Sequence, residues 1–164
     1  MTQTLPRVAH EHHEVLIRHV NQMPEVGDVL LEADGAELQR RAIEMSTFLT
    51  TTLIPHVDAA ERALYPELER MLQNRHSMAP MRREHVEVRR LSSEFARLAG
   101  QLEGPRVAIG ARLAIRRILF QLYALLKIHL AEEEVYLRIV EHGVSEDVAE
   151  VLAAGLDHPG FQKA

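Results

Sequence analysis

Ten histidines in a chain of 164 residues are the feature of this sequence that most clearly suggests chemistry. Imidazole is the commonest side-chain metal ligand near neutral pH. His129 and Glu133 are four residues apart, which places them on one face of a helix and lets both reach the same ion. Glu132 and Glu134 lie to either side of that face, so we expect them to be solvated. The sequence therefore predicts a metal site around His129 and Glu133.

Three other apolar stretches each carry a histidine on or near their apolar face. His56 and His85 are the candidates in the second and third stretches, and Glu61 lies about 140° around the helix from His56. In the first stretch His13 has the better-spaced apolar neighbours, whereas His12 lies nearer the centre of the face. A single buried histidine is most often a hydrogen-bonded core residue. Burying four imidazoles and two carboxylates together is costly without a cation, so the set favours a metal centre.

The elements that must position these residues are helices. Apolar residues recur at helical spacing almost throughout, and no stretch alternates as a strand does. Four long helices with short connections favour an all-α, antiparallel up-and-down four-helix bundle. The predicted helices run from about Pro6 to Met23, Ala36 to Gln73, Pro80 to Leu102 and Val107 to His142, with a short fifth helix from about Ser145 to Gly155.

Prolines predict where these helices end or bend. Pro24 is predicted to end helix one, with a separate turn or helical piece over about Gly27 to Asp34. Pro55 and Pro66 are predicted to bend helix two, because each removes a hydrogen bond from its interior.

Composition excludes several classes of function. The chain has no cysteine and a net charge of −5, so thiolate chemistry and disulfides are excluded and nucleic acid is an unexpected partner. No apolar run approaches the roughly 18 residues of a membrane span, and no signal-type stretch opens the sequence. We therefore expect a cytoplasmic protein, a monomer or weak homodimer.

Four segments, taken in order, resemble the bacterial single-domain type of the hemerythrin-like, His-His-Glu cation-binding domains: EHHEVL at 11–16, LIPH to LYP at 53–66, REH at 83–85 and HLAEEEVY at 129–136. The resemblance covers about residues 8–142 and implies one domain over 1–164, with its core at about 6–142. It also implies two iron ions joined by an oxo or hydroxo bridge, with an open coordination position. The implied terminal ligands are His13 or His12, His56, His85 and His129, and the implied bridging carboxylates are Glu133 and Glu61.

Two positions depart from the pattern of that family. Ala60 stands where a bridging glutamate is usual, and Arg89 stands where oxygen-carrying members have another histidine. Both changes favour a site more open to ligand exchange than that of an oxygen carrier. Tyr136, seven residues after His129, either packs in the core or faces the metals, where it is the candidate catalytic residue. Tyr65, nine residues after His56, is expected to pack elsewhere.

These observations favour a non-haem di-iron protein that decomposes hydrogen peroxide in a catalase-like reaction, as a defence against oxidative stress. One alternative is a protein that binds or senses O₂ or nitric oxide without turnover. Others are an iron-handling protein and a metal-free helical interaction module. A ferritin-like carboxylate site is disfavoured, because no histidine here has a glutamate three residues before it.

Overall fold

The computed structural model describes the backbone of residues 5–102 and 107–143, and the side chains of residues 11–102 and 107–140. Within these ranges the chain is all-helical and has no strand, as the sequence predicts. None of the described helices combines the length and apolar character that crossing a bilayer requires. The predicted fifth helix lies outside the described residues. The α-helices are α1 (Leu5–Glu32), α2 (Gly35–Phe48), α3 (Ile54–Ala59), α4 (Tyr65–Met71), α5 (Ala79–Ala99) and α6 (Ile109–Gly143).

Helix α1 continues through Pro24 to Glu32. The predicted end at Pro24 and the separate piece over 27–34 are therefore wrong. Met23 and Leu30, on either side of the proline, are fully buried, so the apolar face of the helix persists beyond it. Burying two such side chains stabilises by about 3–6 kcal/mol, which is comparable to or larger than the roughly 3 kcal/mol cost of an interior proline.

Two π-helical segments interrupt the predicted second helix, one ahead of each of its interior prolines. They are Leu49–Leu53, before Pro55, and Ala60–Leu64, before Pro66. The amide of Ile54 donates to the carbonyl of Leu49, five residues back, and the amide of Tyr65 donates to that of Ala60. A proline ring crowds the preceding turn, and a wider π turn accommodates it without ending the helix. Such turns are frequent at functional sites.

Helix α6 makes the most extensive contacts, against α1 and then α5, while α2 contacts both α5 and α1. Residues later in α1 meet residues earlier in α6. Lys127 donates to Asn21 at 3.2 Å, and Arg116 pairs with Asp28 at 2.8 Å.

The core consists of two apolar clusters with a polar layer between them. In α5, His85 lies between Met81 of the small cluster and Val88 of the large one, and in α6 Glu133 has the same intermediate position. His85 and Glu133, two of the predicted metal ligands, therefore lie at the level at which the clusters meet. The small cluster consists of Ala59, Ala60, Leu64, Tyr65, Leu68, Met78, Met81, Leu137 and Val140.

Arg112 of α6 caps the carboxyl end of α1. Its guanidinium Nη1 donates to the carbonyls of Leu30 at 2.9 Å and Ala33 at 2.7 Å, which a helix end leaves without intrahelical partners. Arg112→Met is expected to destabilise the protein by about 1–2 kcal/mol, read from the urea unfolding midpoint. Arg117→Met, at an exposed site of the same helix, is the matched control. An equal change in both variants would contradict a capping role.

Candidate metal centre

The polar layer is built from side chains that the sequence singles out. His13 comes from α1, His56 from α3, His85 from α5, and His129 with Glu133 from α6. None of the five is more than 4 % exposed. Of the two candidates in helix one, His13 enters this layer, while the ring of the half-buried His12 lies 5.1 Å from that of His56 and is tilted by 33° relative to it.

Glu133 lies at the centre of the layer. Its Oε2 is 3.1 Å from Nε2 of His13, 3.0 Å from Nε2 of His56 and 3.9 Å from Nε2 of His129. Its Oε1 is buried and has no hydrogen-bond partner among the described residues. A fully buried carboxylate oxygen without a partner is costly in a folded protein. A cation would supply the missing interaction.

His85 and His129 form a second imidazole pair, with their Nε2 atoms 3.0 Å apart. Nδ1 of His85 lies 2.9 Å from a carboxylate oxygen of Glu61, and Nδ1 of His129 lies 2.8 Å from one of Glu84. An ionised carboxylate only accepts hydrogen bonds, so both Nδ1 atoms must be the donors. In a neutral ring the Nε2 atom then carries a lone pair. Two lone pairs at this separation repel each other, and a cation beside them converts the repulsion into coordination.

Carboxylates contact the Nδ1 atoms of several imidazoles, and spacing within a single helix did not predict these contacts. Glu84 was not singled out, and Glu134, expected to be solvated, lies 3.4 Å from Nδ1 of His13. In both cases the carboxylate and the imidazole come from different helices. Metal-ligating histidines usually donate their second N–H to such an acceptor, which fixes the ring and its tautomer. Nδ1 of His56 is the exception, since it has no partner among the described residues.

Glu61 is placed behind His85 and not beside Glu133. One of its oxygens accepts from Nδ1 of His85 and from Nη1 of Arg89, each at 2.9 Å. Arg89 also donates to Asp58 at 2.8 Å. The bridging role that the family resemblance implies for Glu61 does not follow from this arrangement. Its contacts are those of a group that orients the His85 imidazole.

Tyr65 belongs to the site, and the expectation that it packs elsewhere is wrong. It is fully buried, and its hydroxyl lies 3.1 Å from Nε2 of His85. The expectation assumed a regular α-helix after His56, whereas the π-helical segment Ala60–Leu64 changes the direction of every later side chain. Tyr136 is half-buried and packs against the small cluster. Its predicted catalytic role stays a prediction.

The central carboxylate is ionised. Burial pushes the pKa of Glu133 upward, but the field of His56 and hydrogen bonds from His13 and His56 outweigh burial and hold that pKa well below its usual range. Burial also opposes protonation of His13, yet its contacts with Glu133 and Glu134 raise its pKa. His56 is fully enclosed, and burial lowers its pKa.

Burial keeps other groups of the site neutral. It lowers the pKa of His12 to about 3, with the neighbouring His56 adding to the effect. Burial lowers the pKa of His85 to about 4. Burial and the nearby Glu133 carboxylate raise the pKa of Tyr65, so its hydroxyl keeps its proton. Neutral imidazoles are the form that binds metal ions.

Comparison with protein-family models, with curated proteins and with solved structures finds no match to this chain. His13, His56 and Glu133 each offer a ligand atom, and these atoms all lie within 4.8 Å of one another. Two ligand atoms held 2.0–2.2 Å from one ion are roughly 3 Å apart when the angle between them at the ion is about 90°, which matches the 3.0 and 3.1 Å contacts with Glu133. This buried group could hold a metal ion.

Proposed function

We propose that this protein is a hemerythrin-like di-iron protein that decomposes hydrogen peroxide. The observation that carries the proposal is the position of Glu133, a buried carboxylate between two imidazole pairs, with one oxygen that has no hydrogen-bond partner among the described residues. The family resemblance in the order of the histidines and Glu133 along the chain supports the same interpretation.

The two imidazole pairs favour two ions over one. His13 and His56 contact Oε2 of Glu133 directly, whereas His129, with His85 beyond it, lies 3.9 Å from the same oxygen. Each pair, together with Glu133, would hold one ion. Imidazole with carboxylate suits iron, zinc or copper, while calcium and magnesium prefer oxygen ligands alone. Iron is the member of this set that fits both the resemblance and a reaction with peroxide.

We propose that the helices form an antiparallel, up-and-down four-helix bundle. The order of contacts between α1 and α6, in which Asn21 meets Lys127 and Asp28 meets Arg116, supports it. In such a bundle, ligands from facing helices project inward at one level. The polar layer between the two apolar clusters is such a level.

Iron held by these residues would supply two-electron redox chemistry, so that one H₂O₂ is oxidised to O₂ and a second is reduced to water, and 2 H₂O₂ give 2 H₂O and O₂. The protein's own residues provide the surroundings. The two apolar clusters keep bulk water away from the layer. Glu61 and Glu84 hold the protons on the outer nitrogens of His85 and His129. Tyr65, whose hydroxyl points at the same layer, can donate its proton in a hydrogen bond to the substrate.

The direct test of this function is oxygen release from hydrogen peroxide. Protein loaded with iron is expected to release O₂ faster than the same concentration of free iron, and the metal-free protein should release none. A stable oxy spectrum that reverses under vacuum, without peroxide consumption, would instead support binding of O₂ or nitric oxide without turnover.

Tyr65→Phe removes the proposed donor and keeps the ring. We expect peroxide turnover to fall by on the order of a hundredfold, with metal content unchanged, because the Tyr65 hydroxyl is not among the imidazole and carboxylate groups that we propose as ligands. Tyr136→Phe is the matched control, at a half-buried tyrosine that packs in the small cluster. Loss of turnover in Tyr136→Phe alone would assign the role to Tyr136.

A further inference from the structure

Arg89 lies four residues after His85 on α5 and reaches across to the segment that carries His56. Its two terminal nitrogens contact Glu61 at 2.9 Å and Asp58 at 2.8 Å. The fork of a guanidinium suits two acceptors held side by side. Through these contacts Arg89 ties α5 to the stretch that contains both Asp58 and Glu61.

Glu61 is the group that this contact fixes in place. Its side chain is 27 % exposed and that of Arg89 is 35 % exposed, so water competes for the carboxylate. One oxygen of Glu61 accepts from both Arg89 and Nδ1 of His85. Holding Glu61 against His85 costs side-chain entropy, and the second donor offsets that cost.

We propose that Glu61 and Arg89 form a positioning pair that holds the His85 imidazole with its Nδ1–H outward and its Nε2 toward the polar layer before any metal binds. The importance of that orientation rests on the proposed function, in which Nε2 is the ligand atom. A carboxylate accepts only, so its contact with Nδ1 selects this tautomer and this direction of the ring. Arg89 thus stabilises the orientation of His85 through Glu61 and without contacting the imidazole. The family resemblance had instead led us to expect that Arg89 leaves a coordination position open.

The tautomer of His85 in the metal-free protein tests the pair directly. Nitrogen-15 labelling of histidine, read by two-bond proton–nitrogen correlation, reports which ring nitrogen carries the proton. We expect Nδ1–H in the wild type. Glu61→Leu should lose this preference, whereas Glu61→Gln, which still offers an accepting oxygen, should keep it. Arg89→Met should weaken it.

Affinity for Zn²⁺, a redox-silent probe, gives the second readout on the same variants. Glu61→Leu is expected to lower the affinity by roughly 10- to 100-fold, and Arg89→Met to lower it less. Arg90→Met is the matched control, because Arg90 also pairs with two carboxylates, Glu87 and Glu94, on the exposed side of the same helix. It should change neither readout.

The outcomes separate this proposal from the proposed function. An unchanged tautomer in Glu61→Leu, or equal effects of Arg89→Met and Arg90→Met, would overturn the positioning pair even in a protein that binds iron. A tautomer that depends on Glu61 in a protein that takes up no iron would support the pair and overturn the function. If Glu61→Leu does not fold, as judged by circular dichroism, the comparison of Arg89→Met with Arg90→Met decides.

Discussion

Replacing Glu133 with glutamine is expected to abolish metal binding. The substitution keeps the shape of the side chain and removes the only buried carboxylate among the described residues. It also replaces an oxygen that accepts from His13 and His56 with a group of mixed donor and acceptor character. Removing one partner from a buried charged pair costs about 3–5 kcal/mol, which corresponds to on the order of a thousandfold in an equilibrium constant.

The measurement is iron per chain after anaerobic loading, together with the thermal midpoint of the metal-free protein. Glu133→Gln should take up almost no iron and should melt at a lower temperature than the wild type. Glu132→Gln, at an exposed position one residue earlier on α6, controls for the loss of a charge. Iron uptake by Glu133→Gln at the wild-type level would contradict a central role for this carboxylate.

Truncating His85 or His129 to alanine is expected to have the second largest effect. Each substitution removes a ligand and leaves its carboxylate, Glu61 or Glu84, facing an emptied layer. The cavity and the lost hydrogen bonds should destabilise the metal-free fold by about 3 kcal/mol. Metal uptake should fall with stability.

An exposed histidine provides the comparison for these two truncations. His76 lies at the surface, in the turn before α5, so His76→Ala should change neither the urea midpoint nor the iron content. If all three alanine variants behaved alike, the assignment of His85 and His129 to a metal centre would be wrong.

Spacing within one helix predicted part of this site. His129 and Glu133 share a face because a step of four residues nearly closes a helical turn, and the structure buries both while leaving Glu132 exposed. Spacing within one helix does not predict which carboxylates contact the Nδ1 atoms of the histidines. Glu84 reaches His129 from another helix, and only the packing of α5 against α6 sets that contact.

The two other differences from the predicted structure have different causes. Tyr65 enters the polar layer after a π-helical segment that periodicity based on an α-helix does not include. Pro24, treated as the end of a helix, lies within one because Met23 and Leu30 remain buried on either side of it. At Pro24 tertiary packing outweighed the local preference, whereas the π turn before Tyr65 accommodates the ring of Pro66.

Iron content joined to an optical spectrum tests the central claim most directly. Metal-free protein is loaded with ferrous iron under anaerobic conditions, freed of excess metal and then exposed to air. Our account predicts two irons per chain and the near-ultraviolet charge-transfer bands of oxo-bridged ferric iron. Less than half an iron per chain, in protein whose circular dichroism shows a normal helical fold, would contradict it.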